Sequence, residues 1–209
     1  MFQTALFFSP SLPDTHSNLG SALAHLGQPV EAVAHFQIEL SHFNRDPQTR
    51  AKLHFNVGQA LAQSGQYAHA EVSYRQTIED DPTLLDAYLA LARLATTQQH
   101  WKTACSILGQ ARELFPLSAD VSYALGTLAV AQHQYHQAIP LFTTAIAQKP
   151  TWAEAHHGLA LVLLKVDRFH QGILELERAI LLNPKDPVLY RHWLMAVEAD
   201  PDFQSIELV

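Results

Sequence analysis

The chain repeats itself with a period of about 34 residues, and this period restricts its fold more than any other feature of the sequence. A bulky residue followed by a small one recurs in register, as Val57-Gly58, Leu91-Ala92, Leu125-Gly126 and Leu159-Ala160. A proline recurs at the same interval, as Pro82, Pro116, Pro150 and Pro184. Repeats of this length predict stacked supersecondary units, because one unit alone cannot bury its apolar face.

The clearest unit runs from residue 119 to residue 152 and predicts two amphipathic helices joined by a short turn. Bulky side chains such as Leu125 and Phe142 are expected to fill the space between the helices. The small residues Gly126 and Ala138 are expected where the two helices cross closely. Pro140 lies inside the second helix of this unit, so that helix is expected to begin late or to be kinked.

The period divides the chain into units that begin and end at similar residues. The predicted division is a half-repeat or N-terminal cap at 1–12, repeats at 13–50, 51–84, 85–118, 119–152 and 153–186, and a capping helix or partial repeat at 187–209. The first repeat has four extra residues around 41–46, which predict a longer second helix or a bulged turn. Capping boxes are predicted at Thr83 and Thr151, and an N-cap at Asp186.

The charge balance argues against two classes of partner. Lys and Arg number 13 and Asp and Glu number 20, which gives a net charge of −7 with His neutral. Nucleic-acid binders and proteins that bind anionic membrane surfaces depend on an excess of Lys and Arg. The single cysteine, Cys105, excludes an intramolecular disulfide, and we expect its side chain to be packed. We therefore predict a cytoplasmic protein that binds neither nucleic acid nor membrane.

The repeating residues resemble the tetratricopeptide repeat, in which a large residue, Leu-Gly, Ala, an aromatic residue and a proline recur in order. Unit four supplies Leu125, Gly126, Ala138, Phe142, Ala145 and Pro150. The resemblance implies an all-α, right-handed α-solenoid of antiparallel helix pairs, wound into a superhelix. It also implies a non-enzymatic scaffold whose first helices line a concave groove that binds an extended peptide or a partner protein.

The resemblance assigns candidate peptide-binding residues to the first helix of each unit. They are Asn18, Asn56, Gln59, Leu89, Arg93, Tyr123, Thr127, His157, Leu161 and Lys165. This face is amide-bearing near the N-terminus and more apolar toward Leu164. Asn18 and Asn56 resemble two rungs of the family's asparagine ladder, which holds a peptide backbone, or else they are solvated polar residues. The family's carboxylate clamp is not expected, because Lys52 and Arg93 are isolated and serines stand at two required positions.

No catalytic or metal-binding residue is predicted. The 13 histidines are dispersed, and the sequence has no His-Glu-x-x-His motif, no Cys/His cluster of zinc spacing and no glycine-rich phosphate loop. No cofactor is therefore expected. Two other functions stay open: the substrate-recognising arm of a larger enzyme such as a glycosyltransferase or methyltransferase, and self-association through the end helix. In that helix Tyr190, Trp193, Leu194 and Val197 are expected to form one apolar face.

Overall fold

The structure is a computed structural model that describes residues 14–42 and 46–201, and these residues form eleven α-helices and no strand. The helices of the first half are α1 (Thr15–His25), α2 (Pro29–His42), α3 (Pro47–Gln63), α4 (Tyr67–Asp80) and α5 (Leu85–Thr97). Those of the second half are α6 (Trp101–Leu114), α7 (Ala119–Ala131), α8 (Tyr135–Gln148), α9 (Ala153–Lys165), α10 (Phe169–Leu182) and α11 (Pro187–Ala199). The predicted half-repeat at 1–12 lies outside the described residues.

Helix boundaries keep the period of the sequence. The second helices of the later units begin at Tyr67, Trp101, Tyr135 and Phe169, and each has 14 residues. The first helices begin at Leu85, Ala119, Ala153 and Pro187, and each has 13 residues. The prediction that α8 begins late because of Pro140 is wrong, since it begins at Tyr135 in register with its counterparts.

The four extra residues near the first repeat form an additional turn at the start of α3. The described part of the second helix, α2, has 14 residues, like its counterparts, and residues 43–45, on which the prediction of a longer second helix or a bulged turn falls, lie outside the described residues. α3 instead has 17 residues. Asp46 explains this start, since its side chain accepts a hydrogen bond from the Thr49 amide and Pro47 occupies the first turn. The added turn also carries Arg50, which forms an ion pair with Asp80 of α4.

Side-chain capping follows the sequence only in part. The prediction at Asp186 is confirmed, since its carboxylate accepts from the Val188 amide at 2.9 Å. The two predicted capping boxes are wrong, because the N-cap residues of α5 and α9 are Leu84 and Trp152, without side-chain hydrogen bonds. Thr83 bonds to the Asp81 carboxylate instead, through its amide and its hydroxyl.

The helices form two compact units that divide between Gln99 and His100, inside the range predicted for the third repeat. Each unit has a core in which a second-helix aromatic ring packs against a first-helix glycine. A methyl group at Gly58 would come within 2.7 Å of the Tyr74 ring, and one at Gly126 within 2.9 Å of the Phe142 ring. Real carbon atoms do not approach this closely, so the prediction that small residues lie at the close crossings is confirmed.

Cys105 is exposed, and the prediction that it is packed is wrong. Its neighbour Ala104 is fully buried, and successive residues of an α-helix point about 100° apart, so the cysteine turns outward.

The final helix, α11, buries a different face from the predicted one. Leu189 and Ala196 are buried, whereas Tyr190 and Leu194 are about half exposed. The predicted apolar face is therefore divided: Tyr190 and Leu194 face solvent, whereas Trp193 packs against the core cluster that includes Ala196. Within the described residues, no helix combines the length and the hydropathy needed to span a bilayer.

Candidate functional site

A groove of about 770 Å³ lies in the second unit. Side chains from α7, α8, α9, α10 and α11 line it. The apolar lining includes Tyr123, Val130, Phe142, Leu161, Leu164 and Phe169. The polar lining consists of Thr127, Glu154, His157, Lys165 and His192. An apolar surface with a few polar groups is typical of ligand sites in proteins.

The floor of the groove is closely packed around Phe142. Its ring lies between two glycines of successive first helices, and a methyl group at either Gly126 or Gly158 would approach it to 2.9 Å. The Tyr123 ring packs edge-on against Phe142 at 5.5 Å and against Trp152 at 4.6 Å between ring centroids. Burial, and to a smaller degree Glu154, raises the pKa of Tyr123, so its hydroxyl is a hydrogen-bond donor at neutral pH.

A pair of stacked histidines joins α9 to α11 at the edge of the groove. The Nε2 atom of His157 lies 2.8 Å from Nδ1 of His192, and the ring centroids are 5.0 Å apart. A hydrogen bond between two imidazoles requires a bare nitrogen on one of them, so at least one ring is neutral. Burial lowers the pKa of His157, and the nearby charge of His192 lowers it further, against weaker opposing effects of Asp186 and Glu154.

The adjacent residue, His156, has a structural position. It is buried, with Nδ1 at 2.6 Å from the Glu175 carboxylate and Nε2 at 3.0 Å from the Pro150 carbonyl oxygen. Tyr190, which lies at the same position one repeat later, donates to the carbonyl of Pro184 in the same way. His156 therefore fixes the turn between two successive repeats, while His157 faces the groove.

A second cavity, of about 540 Å³, lies within the first unit between α1, α3, α4 and α5. Its polar lining consists of His25, Gln59, Gln63, Tyr67, Arg93 and Thr97. This lining differs from that of the groove because it carries amide and cationic groups but no carboxylate.

The candidate residues from the sequence fall into three sets. Tyr123, Thr127, His157, Leu161 and Lys165 come together in the groove of the second unit. Gln59 and Arg93 line the cavity of the first unit. Asn18, Asn56 and Leu89 line neither cavity, and Asn18 is exposed on α1. No group of three or more His, Cys, Asp or Glu side chains that could hold a metal ion occurs among the described residues.

Some lining residues were absent from the sequence-based set. His192 follows Gly158 by one full repeat and so shares the repeat position of Asn18 and Asn56, which is a signal that the sequence offered. Tyr135 and Phe169 both begin second helices and both line the groove. Helix starts that recur in register were therefore a second usable signal.

Family models described as tetratricopeptide repeat match residues 11–83, 89–151 and 129–191. The chain belongs to the tetratricopeptide repeat proteins. No curated protein sequence matches it.

Solved structures of low sequence identity share the fold. TTC0263, a thermophilic tetratricopeptide protein of Thermus thermophilus, has a TM-score of 0.69 and 20% identity, over 86% of this chain and 96% of that one. MamA from Desulfovibrio magneticus RS-1 has a TM-score of 0.65 and 19% identity, over 82% and 95% respectively. YrrB, described as having an unusual peptide-binding site, has a TM-score of 0.59 and 17% identity, over 91% and 96%. These likenesses confirm the fold class expected from the sequence.

Proposed function

We propose that this protein is a non-catalytic scaffold that binds a peptide segment of a partner protein in the groove of the second unit. The observation that carries the proposal is the groove itself, an open cavity of about 770 Å³ with an aromatic floor and a polar edge. YrrB, which shares the fold at low identity, is described as having a peptide-binding site. Tetratricopeptide scaffolds as a class recognise proteins, and the likeness supports that general role here.

The chemistry of the groove favours a peptide with at least one large apolar side chain. Leu161 is 36% exposed on α9 and faces the cavity together with Tyr123 and Leu164. Burying such a surface against an apolar side chain gives the anchor energy typical of interface hot spots. Thr127, with Lys165 and Glu154 at the edge, supplies polar groups for the peptide backbone and for charged neighbours.

Peptide selection tests the groove. A displayed random-peptide library is selected on the wild-type chain, and the dissociation constant of a selected peptide is then measured by fluorescence anisotropy. Leu161→Glu should weaken binding by about tenfold or more, because it places a charge where the apolar anchor packs. Leu181→Glu is the matched control, since Leu181 is 81% exposed on α10 and lies outside the groove. Failure to select any peptide, or equal binding by both variants, would refute the groove assignment.

We also propose, as the sequence predicted, that the protein binds neither nucleic acid nor membrane and acts in the cytoplasm. The net charge of −7 supports the first two statements and the single cysteine is compatible with the third. Self-association through α11 is a second proposal, supported by the exposed side chains of Tyr190, Leu194 and Met195. A recognition arm of a larger enzyme would use the same groove, and the selected peptides would then resemble segments of its substrates.

A further inference from the structure

Oppositely charged side chains lie at the two ends of the groove in the second unit. Glu154 stands in the first turn of α9, and Lys165 is the last residue of that helix, eleven residues later. Both side chains line the groove. An α-helix rises about 1.5 Å per residue, so the two positions lie about 16 Å apart along the axis. This separation exceeds the Debye length of about 10 Å at 0.1 M salt, so Lys165 does not neutralise Glu154.

The carboxylate of Glu154 is available to a ligand. Among the described residues that line the groove, it is the one acidic group, and it is exposed. It forms no ion pair with any residue that the structure describes, whereas Glu175 on α10 pairs with both His156 and Arg178. Lys149, which precedes α9, lies over the Trp152 ring at 4.7 Å from the ring centroid and is not part of the lining.

The neighbours of Glu154 in the lining leave its negative charge in place. Burial raises the pKa of Tyr123 and lowers that of His157, and the charge of Glu154 raises both to a smaller degree, so these two side chains lie near it. Because its pKa is lowered, the His157 ring is uncharged at neutral pH. The carboxylate of Asp186 also acts on His157 and so lies at the same end. This end of the groove is therefore negative at neutral pH.

The apolar anchor position lies two helical turns from Glu154. Leu161 follows Glu154 by seven residues on α9, which corresponds to about 10 Å along the axis. An extended peptide advances about 3.3 Å per residue, so about three residues of a ligand span this distance. A basic residue at that spacing from a large apolar residue can place its charge beside Glu154 while the apolar side chain packs on Leu161.

We propose that the groove selects a peptide that carries Lys or Arg about three residues from its large apolar anchor, with the basic side chain at Glu154. The inference rests on the proposed function, because it requires that the groove binds a peptide through Leu161. Attraction at Glu154 and repulsion at Lys165 act together, so the basic residue is favoured on one side of the anchor and disfavoured on the other.

Random-peptide selection on the wild type and on two variants tests this charge preference. Peptides selected on the wild type should be enriched in Lys and Arg on one side of the apolar anchor. Glu154→Lys should abolish that enrichment and keep the anchor, because it reverses the charge at this end of the groove. Asp120→Asn is the matched control, since Asp120 precedes Glu154 by one repeat, lies in the first turn of α7 and does not line the groove.

Dissociation constants then measure the preference directly. A selected peptide is compared by fluorescence anisotropy with an analogue that has glutamine in place of the basic residue. At low salt the wild type should bind the basic peptide about threefold more tightly or better, the size expected for an exposed ion pair, and high salt should reduce the difference. Glu154→Gln should remove the preference, and Asp120→Asn should keep it. Both variants lose a carboxylate from the first turn of a helix, so their thermal stabilities should change equally.

The outcomes separate this inference from the proposed function. Peptides that lose binding in Leu161→Glu but show no enrichment in Lys or Arg would overturn the charge preference and leave the groove assignment standing. A preference for the basic peptide that survives Glu154→Gln would do the same. Failure to select any peptide would overturn both.

Discussion

The contact between Gly126 and Phe142 gives the most direct test of how successive helices pack. A methyl group added at Gly126 would lie 2.9 to 3.1 Å from three carbon atoms of the Phe142 ring. The ring is 2% exposed, a methyl group at Gly158 on its other side would also come within 2.9 Å of it, and Tyr123 packs edge-on against it. Gly126→Ala therefore forces either the ring or α7 to shift.

Two opposing effects set the size of the change in stability. Replacing glycine by alanine inside a helix stabilises the helix by about 1 kcal/mol. Overpacking a closed core costs about 1–3 kcal/mol. We expect the overpacking to dominate and Gly126→Ala to lower the free energy of unfolding by about 1 kcal/mol.

Gly109→Ala is the matched control, because it makes the same chemical change in a helix of the same unit. A methyl group at Gly109 of α6 would meet no atom within 4 Å. This variant should therefore raise the free energy of unfolding by about 1 kcal/mol through helix propensity alone. Urea unfolding followed by circular dichroism measures both variants, and their free energies of unfolding should differ by about 1–3 kcal/mol.

A double-mutant cycle with Phe142→Leu isolates the contact. Leucine lacks the Cε1 and Cζ atoms of phenylalanine, which lie close to a methyl group at Gly126. Gly126→Ala should then no longer destabilise the chain, giving a coupling of about 1 kcal/mol or more. If Gly126→Ala and Gly109→Ala stabilise the chain equally, or if the cycle shows no coupling, the packing argument is refuted.

Two further predictions concern the groove and the end helix. Because burial lowers the pKa of His157, the unfolded chain takes up the proton more readily, so stability should fall as pH drops from about 6.5 toward the lower pKa of the folded state. His157→Gln should flatten that part of a urea-midpoint-versus-pH curve, and an unchanged slope would contradict the assignment. For α11, light scattering at increasing concentration should show association that Leu194→Glu removes, and a strictly monomeric wild type would exclude self-association.

The architecture follows from local patterns that sequence reasoning can read. The regular period predicted helix pairs, because bulky and small residues recur where one helix must cross the next. Gly58 and Gly126 show the reason: each glycine sits under an aromatic ring of the following helix, and no larger residue fits. Likewise, Asp186 before Pro187 predicted a helix start that the structure confirms. The preference of Asp for the N-cap and that of Pro for the first helical position both act within a single turn.

Other features depend on which surfaces meet in three dimensions. Cys105 and Ala104 are neighbours in the sequence, but only the packing of α6 decides that the alanine is buried and the cysteine exposed. The four extra residues predicted a longer preceding helix or a bulged turn, whereas α3 is one turn longer than its counterparts, because an excess of four residues fits any of these places in length.

The candidate site also has a part that the sequence predicts and a part that only the tertiary structure shows. The repeat position of Tyr123, His157 and Leu161 could be read from the sequence, since it depends on the same period as the fold. The sequence could not show that His157 of α9 contacts His192 of α11. It also could not show that Arg93 lines the same cavity as Gln59 and Gln63, and that no carboxylate is part of this lining. Those contacts join residues about one repeat apart, and only the tertiary packing of successive repeats brings them together, because burial and pairing depend on distances that no local pattern contains.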